Sequence, residues 1–223
     1  MTGPAARLVS IQVSLPRAVQ PTGDGGYWDR VWYTSYLKEP VAGPVMLRET
    51  NLDGDRQTDT ERHGGPDRAA LCYPAEHYQL WRSELGIPTM THGGFGENFT
   101  VAGQDESGVC VGDVYEVGAA LVQVSAPRRP CYKIAWRWHL LDLVERIKAT
   151  GRHGWYVRVL REGQVEAGQS IELVERPHPE WPVRRAGAVI RLRERHPHEA
   201  ATLAACGALA ESERRSLLST ATG

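Results

Sequence analysis

Asp113-Val114-Tyr115-Glu116-Val117-Gly118-Ala119-Ala120-Leu121-Val122-Gln123-Val124-Ser125 reads as a β-hairpin: two short apolar-rich arms, neither with a helical period, meeting at a glycine. The same grammar recurs outward from it. Trp155 to Leu160 runs into a turn near Glu162-Gly163 and, after Gly168, returns as Ile171 to Val174. At the start, Val9, Ile11 and Val13 alternate with Leu8, Ser10 and Gln12, the two-residue period of a strand. Short β-like runs also occupy Val31 to Leu37 and Val45 to Glu49, bounded by Pro40 and Pro44. Gly and Pro together fill 37 of 223 positions, about 17% against roughly 12% in average chains, which favours many turns and short strands over a helical bundle. The expectation is a mainly β core.

Two helices interrupt this pattern. Pro74 sits at a first helical position, with His77/Tyr78, Trp81 and Leu85 spaced for one buried face and Gly86 as the stop. The second spans Leu140 to Ala149, with Leu140, Leu143, Val144 and Ile147 facing inward and Gly151 just past its end. After Arg176 the character changes. Pro177-His178-Pro179-Glu180-Trp181-Pro182 is a stiff linker, and three short helices follow over Arg184 to Arg195, His198 to Ala205 and Glu211 to Thr220. The chain thus divides into a β domain, 1–176, and a linker with a small three-helix domain, 177–223. That tail must pack on itself, on the domain or on a second copy, since each helix is too short to stand alone in water. A homodimer contact and a tail dispensable to the site are the expectations.

With 26 Lys+Arg against 27 Asp+Glu, a formal charge of -1 and a pI near 6.7, no global field would draw the chain onto nucleic acid or an acidic membrane. No run of about 18 apolar residues could cross a bilayer, and the start lacks the basic and apolar regions of a secretion signal. A cytoplasmic location is expected. Cys72, Cys110, Cys131 and Cys206 form no CxxC pair and no zinc spacing, and a reducing compartment leaves them as thiols.

Chemistry concentrates in three places. In Pro127-Arg128-Arg129-Pro130-Cys131-Tyr132-Lys133, three basic residues surround a thiol held between prolines. Cationic neighbours lower a thiol's pKa and make it a nucleophile or a metal ligand, although a structural cysteine beside a solvated basic loop fits the same residues. Gly54-Asp55-Arg56 and Arg62-His63-Gly64-Gly65-Pro66-Asp67-Arg68 combine backbone that can approach a ligand with arginine forks suited to phosphate or carboxylate. His92-Gly93-Gly94-Phe95-Gly96-Glu97-Asn98 adds an amide that can donate and accept. Each glycine-rich run also fits a tight turn capped by polar residues. There is no dinucleotide fingerprint and no P-loop lysine pattern. Cys131, His63 and Asn98 could be arranged as nucleophile, base and orienting amide, but the local signatures of thiol hydrolases are absent. The arginines at 184, 185, 191, 193 and 195 read as a solvated face or a subunit contact.

Thr34-Ser35-Tyr36-Leu37-Lys38-Glu39-Pro40-Val41, Gly54-Asp55-Arg56-Gln57, His63-Gly64-Gly65-Pro66-Asp67-Arg68, Tyr73-Pro74 with Glu76-His77-Tyr78, Gly96-Glu97-Asn98, Gly112-Asp113 and Pro127-Arg128-Arg129-Pro130-Cys131 occur in this order. Together they resemble the MOSC family (molybdenum cofactor sulfurase C-terminal domain), in particular its YiiM-like branch, over about residues 25 to 176. The tail resembles the three-helix domain of that branch more loosely. The resemblance implies a β-barrel-like domain that holds the molybdenum cofactor, a phosphorylated pterin dithiolene (molybdopterin) carrying Mo. It implies Cys131 as catalytic residue and thiolate ligand of the metal. It implies Lys38, Arg56, His63, Asp67, Arg68, Asn98, Arg128 and Lys133 as cofactor-binding residues. The implied activity is reduction of N-hydroxylated compounds, including hydroxylaminopurine-like bases, to amines, with electrons from a separate reductase. A sulfur carrier with a Cys131 persulfide and a non-catalytic cofactor carrier are the alternatives.

Overall fold

The computed structural model describes residues 5–21, 23, 25–59 and 63–219. Arg62 of the arginine–glycine cluster and Thr220 at the end of the last expected helix lie outside them. The elements are β1 (Arg7–Val13), β2 (Arg17–Val19), β3 (Trp32–Thr34), β4 (Glu39–Pro40), β5 (Val45–Leu47), β6 (Ala70–Pro74), α1 (Ala75–Leu85), β7 (Phe99–Ala102), β8 (Val114–Val117) and β9 (Ala120–Pro127). There follow α2 (Lys133–Trp138), α3 (Leu143–Thr150), β10 (Trp155–Arg161), β11 (Gly163–Val165), β12 (Ile171–Glu175), α4 (Val183–Arg191), α5 (Pro197–Ala204) and α6 (Glu211–Ser219). A single 3₁₀ turn covers Pro66–Arg68.

The fold is mainly β. Eight strands bond in the order β12-β8-β9-β10-β6-β7-β1-β4, antiparallel except for the parallel pair β6–β7. The ladder also meets itself: Leu8 N–H donates to Gln169 O (2.9 Å), Gly168 N–H to Leu8 O (2.7 Å) and Ile171 N–H to Ala6 O (2.9 Å). These bonds tie β1 to the residues entering β12, giving the barrel-like sheet that the resemblance implies and removing two open edges. β11–β5 and β2–β3 are separate two-stranded ribbons.

The 113–125 hairpin forms as its pattern dictates, with Val117 opposite Ala120 and Gly118 at φ 56° in the turn. A Cβ at Gly118 would lie 2.6 Å from Gln164 O, so only glycine lets the turn close against β11. Two strands gave no period to read. All five residues of β6 are buried, so no alternation marks it, and β7 runs parallel beside it. The expected helix at Leu140 begins only at Leu143, because His139 adopts φ 53° and closes the six-residue α2 ahead of it. Pro74 ends β6 and caps α1 instead of starting it.

One apolar cluster fills the barrel around Leu8, Ile11, Leu47, Val101, Val124 and Trp155. A second, aromatic-rich cluster joins Tyr73, Tyr78, Trp81 and Phe95 to Ile134 of α2 and Leu143 and Ile147 of α3. Truncating a large side chain such as Trp81 (0% exposed) or Trp155 (2% exposed) should cost about 3–5 kcal/mol. The third cluster is the tail's own: Trp181, Val189, Ile190, Leu203, Leu209 and Leu217, with Val111 of the β domain inserted among them. The tail is stitched to that domain by Val111 N–H to Trp181 O (2.9 Å), Val183 N–H to Val109 O (2.8 Å), Arg184 N–H to Glu106 O (2.7 Å) and Ala210 N–H to Ser125 O (2.8 Å). No helix among the described residues is long and apolar enough to cross a membrane.

Gly154 sits at φ 75°, and a Cβ there would lie 2.4 Å from Cys72 O. Gly154→Ala combines left-handed strain with a backbone clash, so we expect a loss of more than about 2 kcal/mol, read as a lower midpoint in urea unfolding with unchanged slope.

Candidate functional site

Strand β9 ends at Pro127, paired with Trp155 of β10, and the chain turns through Arg128, Arg129 and Pro130 to Cys131 before α2 begins. A rigid strand and a helix therefore hold the basic loop at both ends. It opens onto a cleft lined by Arg68, Arg128, Arg129 and Lys133, by His63 and Cys131, and on its walls by Ser35, Tyr36, Lys38, Thr58, Asn98 and Tyr156. One carboxylate, Asp59, also lines it. The enclosed space is only about 90 Å³, which admits one end of a ligand and leaves the remainder along the open side.

Arg128 forms the floor and is 5% exposed. Its amide donates to Gly154 O (3.1 Å) and its Nη2 to Phe95 O (2.7 Å). Nη1 is buried with no hydrogen-bond partner among the described residues, and so is the nearby Tyr36 hydroxyl. A buried guanidinium resting on a single neutral carbonyl is costly unless an anion completes its shell.

Cys131 is half-buried, whereas Cys72, Cys110 and Cys206 are buried. Burial pushes the Cys72 thiol well above its ordinary value, and burial followed by the Asp113 charge raises Cys110. The accessible thiol is thus the one inside the cationic cleft. Burial, then the charge of Lys133, lowers the pKa of His63, so its imidazole is neutral near pH 7 and free to accept a proton.

The structure brings Lys38, His63, Arg68, Asn98, Arg128, Cys131 and Lys133 to one cleft, but their roles differ. Lys38 is ion-paired with Asp55, their side chains 9% and 0% exposed. Asn98 donates to Asp55 Oδ2 (2.9 Å) and to Gln12 O (3.2 Å) and accepts from Leu71 N–H (3.2 Å). Ser14 N–H donates to the other Asp55 oxygen (2.8 Å). Asp55 is therefore the buried anchor of that wall, and Lys38 is balanced by it. Burial lowers the Lys38 pKa while Asp55 opposes the shift.

Two expected cofactor residues lie elsewhere. Arg56 is exposed and outside the cleft lining, because the turn that buries Asp55 points its neighbour to solvent. Asp67 faces away as well: Oδ1 pairs with Arg158 Nη2 (2.8 Å), Oδ2 accepts from Glu211 N–H (2.9 Å) and its carbonyl accepts from Ser125 Oγ (2.5 Å). It fastens the tail.

The tail itself reaches the cleft, which corrects the expectation that removing it would leave these residues untouched. Glu213 of α6 is 2% exposed. Its Oε1 accepts from Arg68 Nη2 (3.2 Å) and its Oε2 from Arg129 Nη2. Ser212 Oγ adds a second bond to Arg68 at 3.0 Å. No pattern near Glu213 signals this role, since its partners lie 84 and 145 residues away in sequence.

The family model described as "MOSC domain" matches residues 59–172. The chain belongs to the MOSC family. Relatives include an uncharacterized protein, YflK, of Bacillus subtilis, 46% identical over 143 residues, and Protein YiiM of Escherichia coli, 42% identical over 145 residues. Both alignments cover 64% of this chain, and they span 64% and 65% of the relatives, just under two thirds. Among solved structures, YiiM from Geobacillus stearothermophilus superposes with a TM-score of 0.80 at 34% identity, covering 97% of this chain and 99% of that one. YiiM from Escherichia coli gives 0.76 at 30% identity, with 97% and 92% covered. The superposition on the first extends beyond the MOSC match and takes in the tail.

Native protein treated with a thiol reagent should be labelled at Cys131 first, with the other three cysteines reacting only in denaturant; peptide mass spectrometry reads this. Glu213→Gln should lower stability by about 1–3 kcal/mol by leaving Arg68 and Arg129 without their shared carboxylate, less than a fully buried pair would lose because Arg129 is half exposed. Urea unfolding measures it, with Glu213→Asp expected to recover part of the loss.

Proposed function

We propose that this MOSC protein is a molybdenum-cofactor oxidoreductase that reduces N-hydroxylated compounds, hydroxylaminopurine-like bases among them, to amines. The observation that carries this reading is the pairing in one cleft of an accessible thiol, Cys131, with a buried guanidinium, Arg128, whose Nη1 has no hydrogen-bond partner among the described residues. A soft sulfur ligand beside unsatisfied positive charge fits an anionic group containing a soft-accepting metal. Among the described residues no three His, Cys, Asp or Glu side chains gather to hold a bare metal ion, so a group arriving with its own ligands suits the site. A relative from Gibberella moniliformis named "Reductase", 38% identical over 163 residues, supports the reaction class; the alignment spans 29% of that protein.

Cys131 would supply the protein's thiolate to the metal, while Arg128, Lys133 and the Glu213-held pair Arg68 and Arg129 would hold the group's negative charges. When bound, the cofactor supplies two-electron oxygen-transfer chemistry. The net change, RNHOH + 2e⁻ + 2H⁺ → RNH₂ + H₂O, needs two protons. Neutral His63 is the cleft group able to accept and pass them. Tyr36, buried, and Tyr156, half-buried, line the cleft wall and limit water there. The electrons come from a separate reductase, because the sequence has neither a dinucleotide fingerprint nor an iron–sulfur cysteine array.

Protein purified from cells that make the cofactor should contain molybdenum and pterin, and Cys131→Ser should fold normally yet lose activity, since a hydroxyl is a harder and less acidic ligand. Turnover of an N-hydroxylated purine should occur with a reduced viologen dye and not with NADH or NADPH alone. Full turnover by the Cys131→Ser variant with metal bound would sink the ligand assignment. Metal-free protein carrying a persulfide on Cys131 would point to sulfur transfer instead.

A further inference from the structure

We propose that the groove between α4 and the Arg128–Pro130 loop is a second ligand site, binding a phosphate monoester of mononucleotide size apart from the Cys131 cleft. The groove has a volume of about 480 Å³, within the range of roughly 300–1,000 Å³ typical of small-molecule pockets. Arg128, Arg129, Lys148, Arg184, Arg191 and Arg193 line it, and no Asp or Glu is among the described residues that do. In a chain of net charge -1, that is a local concentration of one sign.

The charges are only partly balanced. Arg184 donates to Ser107 Oγ (2.8 Å) and Thr150 O (2.9 Å), and Arg191 donates to Lys148 O, all neutral acceptors. Those carbonyls belong to the end of α3, and the C-termini of α3 and α4 together offset about one positive charge. Glu213 takes up one more through Arg129, and the exposed Glu145 pairs with Lys148 at 2.7 Å. The Arg128 charge faces Tyr36, Tyr156 and Cys131 in the other cleft; of the five remaining cations roughly two charges are left, which matches the charge of about -1.5 to -2 on a phosphate monoester at neutral pH. Burial lowers the pKa of His153, so it adds no charge.

Shape points the same way. The carbonyl bonds fix the Arg184 and Arg191 guanidinia in place before any ligand arrives. Pro127, Pro130, Ala149, Ala188 and Ile190 give the groove an apolar wall for the body of the ligand. Gly187 lets α4 come down onto the floor: a Cβ there would lie 2.7 Å from His153 Nε2.

The test is calorimetric titration of the full-length, cofactor-free protein with AMP and with orthophosphate, at low and high salt. Binding of AMP should exceed that of orthophosphate and weaken with salt. Arg184→Gln and Arg191→Gln should each reduce AMP affinity by about one to two decades. Lys148→Gln, at the rim and outside the tail's packing, should reduce it without altering thermal unfolding. Arg185→Gln, on the same helix but paired with Glu199 outside the groove, should leave it unchanged. AMP should still bind cofactor-loaded protein. No binding of either probe, AMP binding that survives all three groove substitutions, or binding abolished by cofactor loading would overturn the proposal; the last would assign the groove to the cofactor's own phosphate. None of these readouts depends on turnover, so failure of the reductase reading is seen separately.

Discussion

A positive charge buried at the root of the basic loop sets the terms for the rest of the molecule. Arg128 cannot shed its proton and is 5% exposed, so its surroundings must hold it, the guanidinium by Phe95 O and the main-chain amide by Gly154 O. Phe95 O is available because Glu97, 0% exposed, organises the preceding turn, accepting from Gly93 N–H (2.7 Å), Phe95 N–H (3.1 Å), the Tyr78 hydroxyl (2.5 Å) and Thr100 Oγ1 (3.0 Å). Gly154 O is available because Glu106, also 0% exposed, takes the Gly154 N–H (2.7 Å) while bonding His77 Nε2 (2.8 Å). Two buried carboxylates thus hold two loops, and the loops hold Arg128, one by its guanidinium and the other by its main-chain amide. Burial would raise the Glu106 pKa, but the hydrogen bond to His77, with that from the Gly154 amide, keeps it below its usual value and the carboxylate ionised.

The tail extends this logic. Its helices are eight or nine residues long, below the roughly 12–15 at which an isolated helix becomes even marginally stable, so their existence depends on packing against the β domain. In return α6 supplies Glu213, and the charge balance of the cleft is shared between two parts of the chain that the linker separates in sequence. The Asp67 carboxylate, accepting from Glu211 N–H at the first residue of α6, fixes where that carboxylate arrives.

Sequence pattern revealed whatever had a period or a punctuation mark. The 113–125 hairpin, α1 with its Gly86 stop, and the three tail helices are all visible in spacing and caps. β6 was not, because a strand buried on both faces alternates nothing, and α2 was not, because six residues are too few to show a helical period. At the site, most of the residues that the motifs named gather in one cleft, while Arg56 lies outside its lining. An arginine is the natural suitor of an anion, but the fold used the aspartate inside and left Arg56 in water. Glu213 was beyond reach for a different reason: an ion pair that spans 145 residues has no local signature.

The closure of the barrel dictates an order of events in synthesis. Leu8 bonds Gln169 across 161 positions (169 − 8), so at translation rates of about 5–20 residues per second β1 waits roughly 8–30 s for its last neighbour to be made. Until then its Leu8 and Ile11 have no completed core to enter. Only later still, when α6 has left the ribosome, do Arg68 and Arg129 receive their shared carboxylate. The cationic cleft is thus the final region to mature, and during that interval it is at its most positive and most open to any passing polyanion.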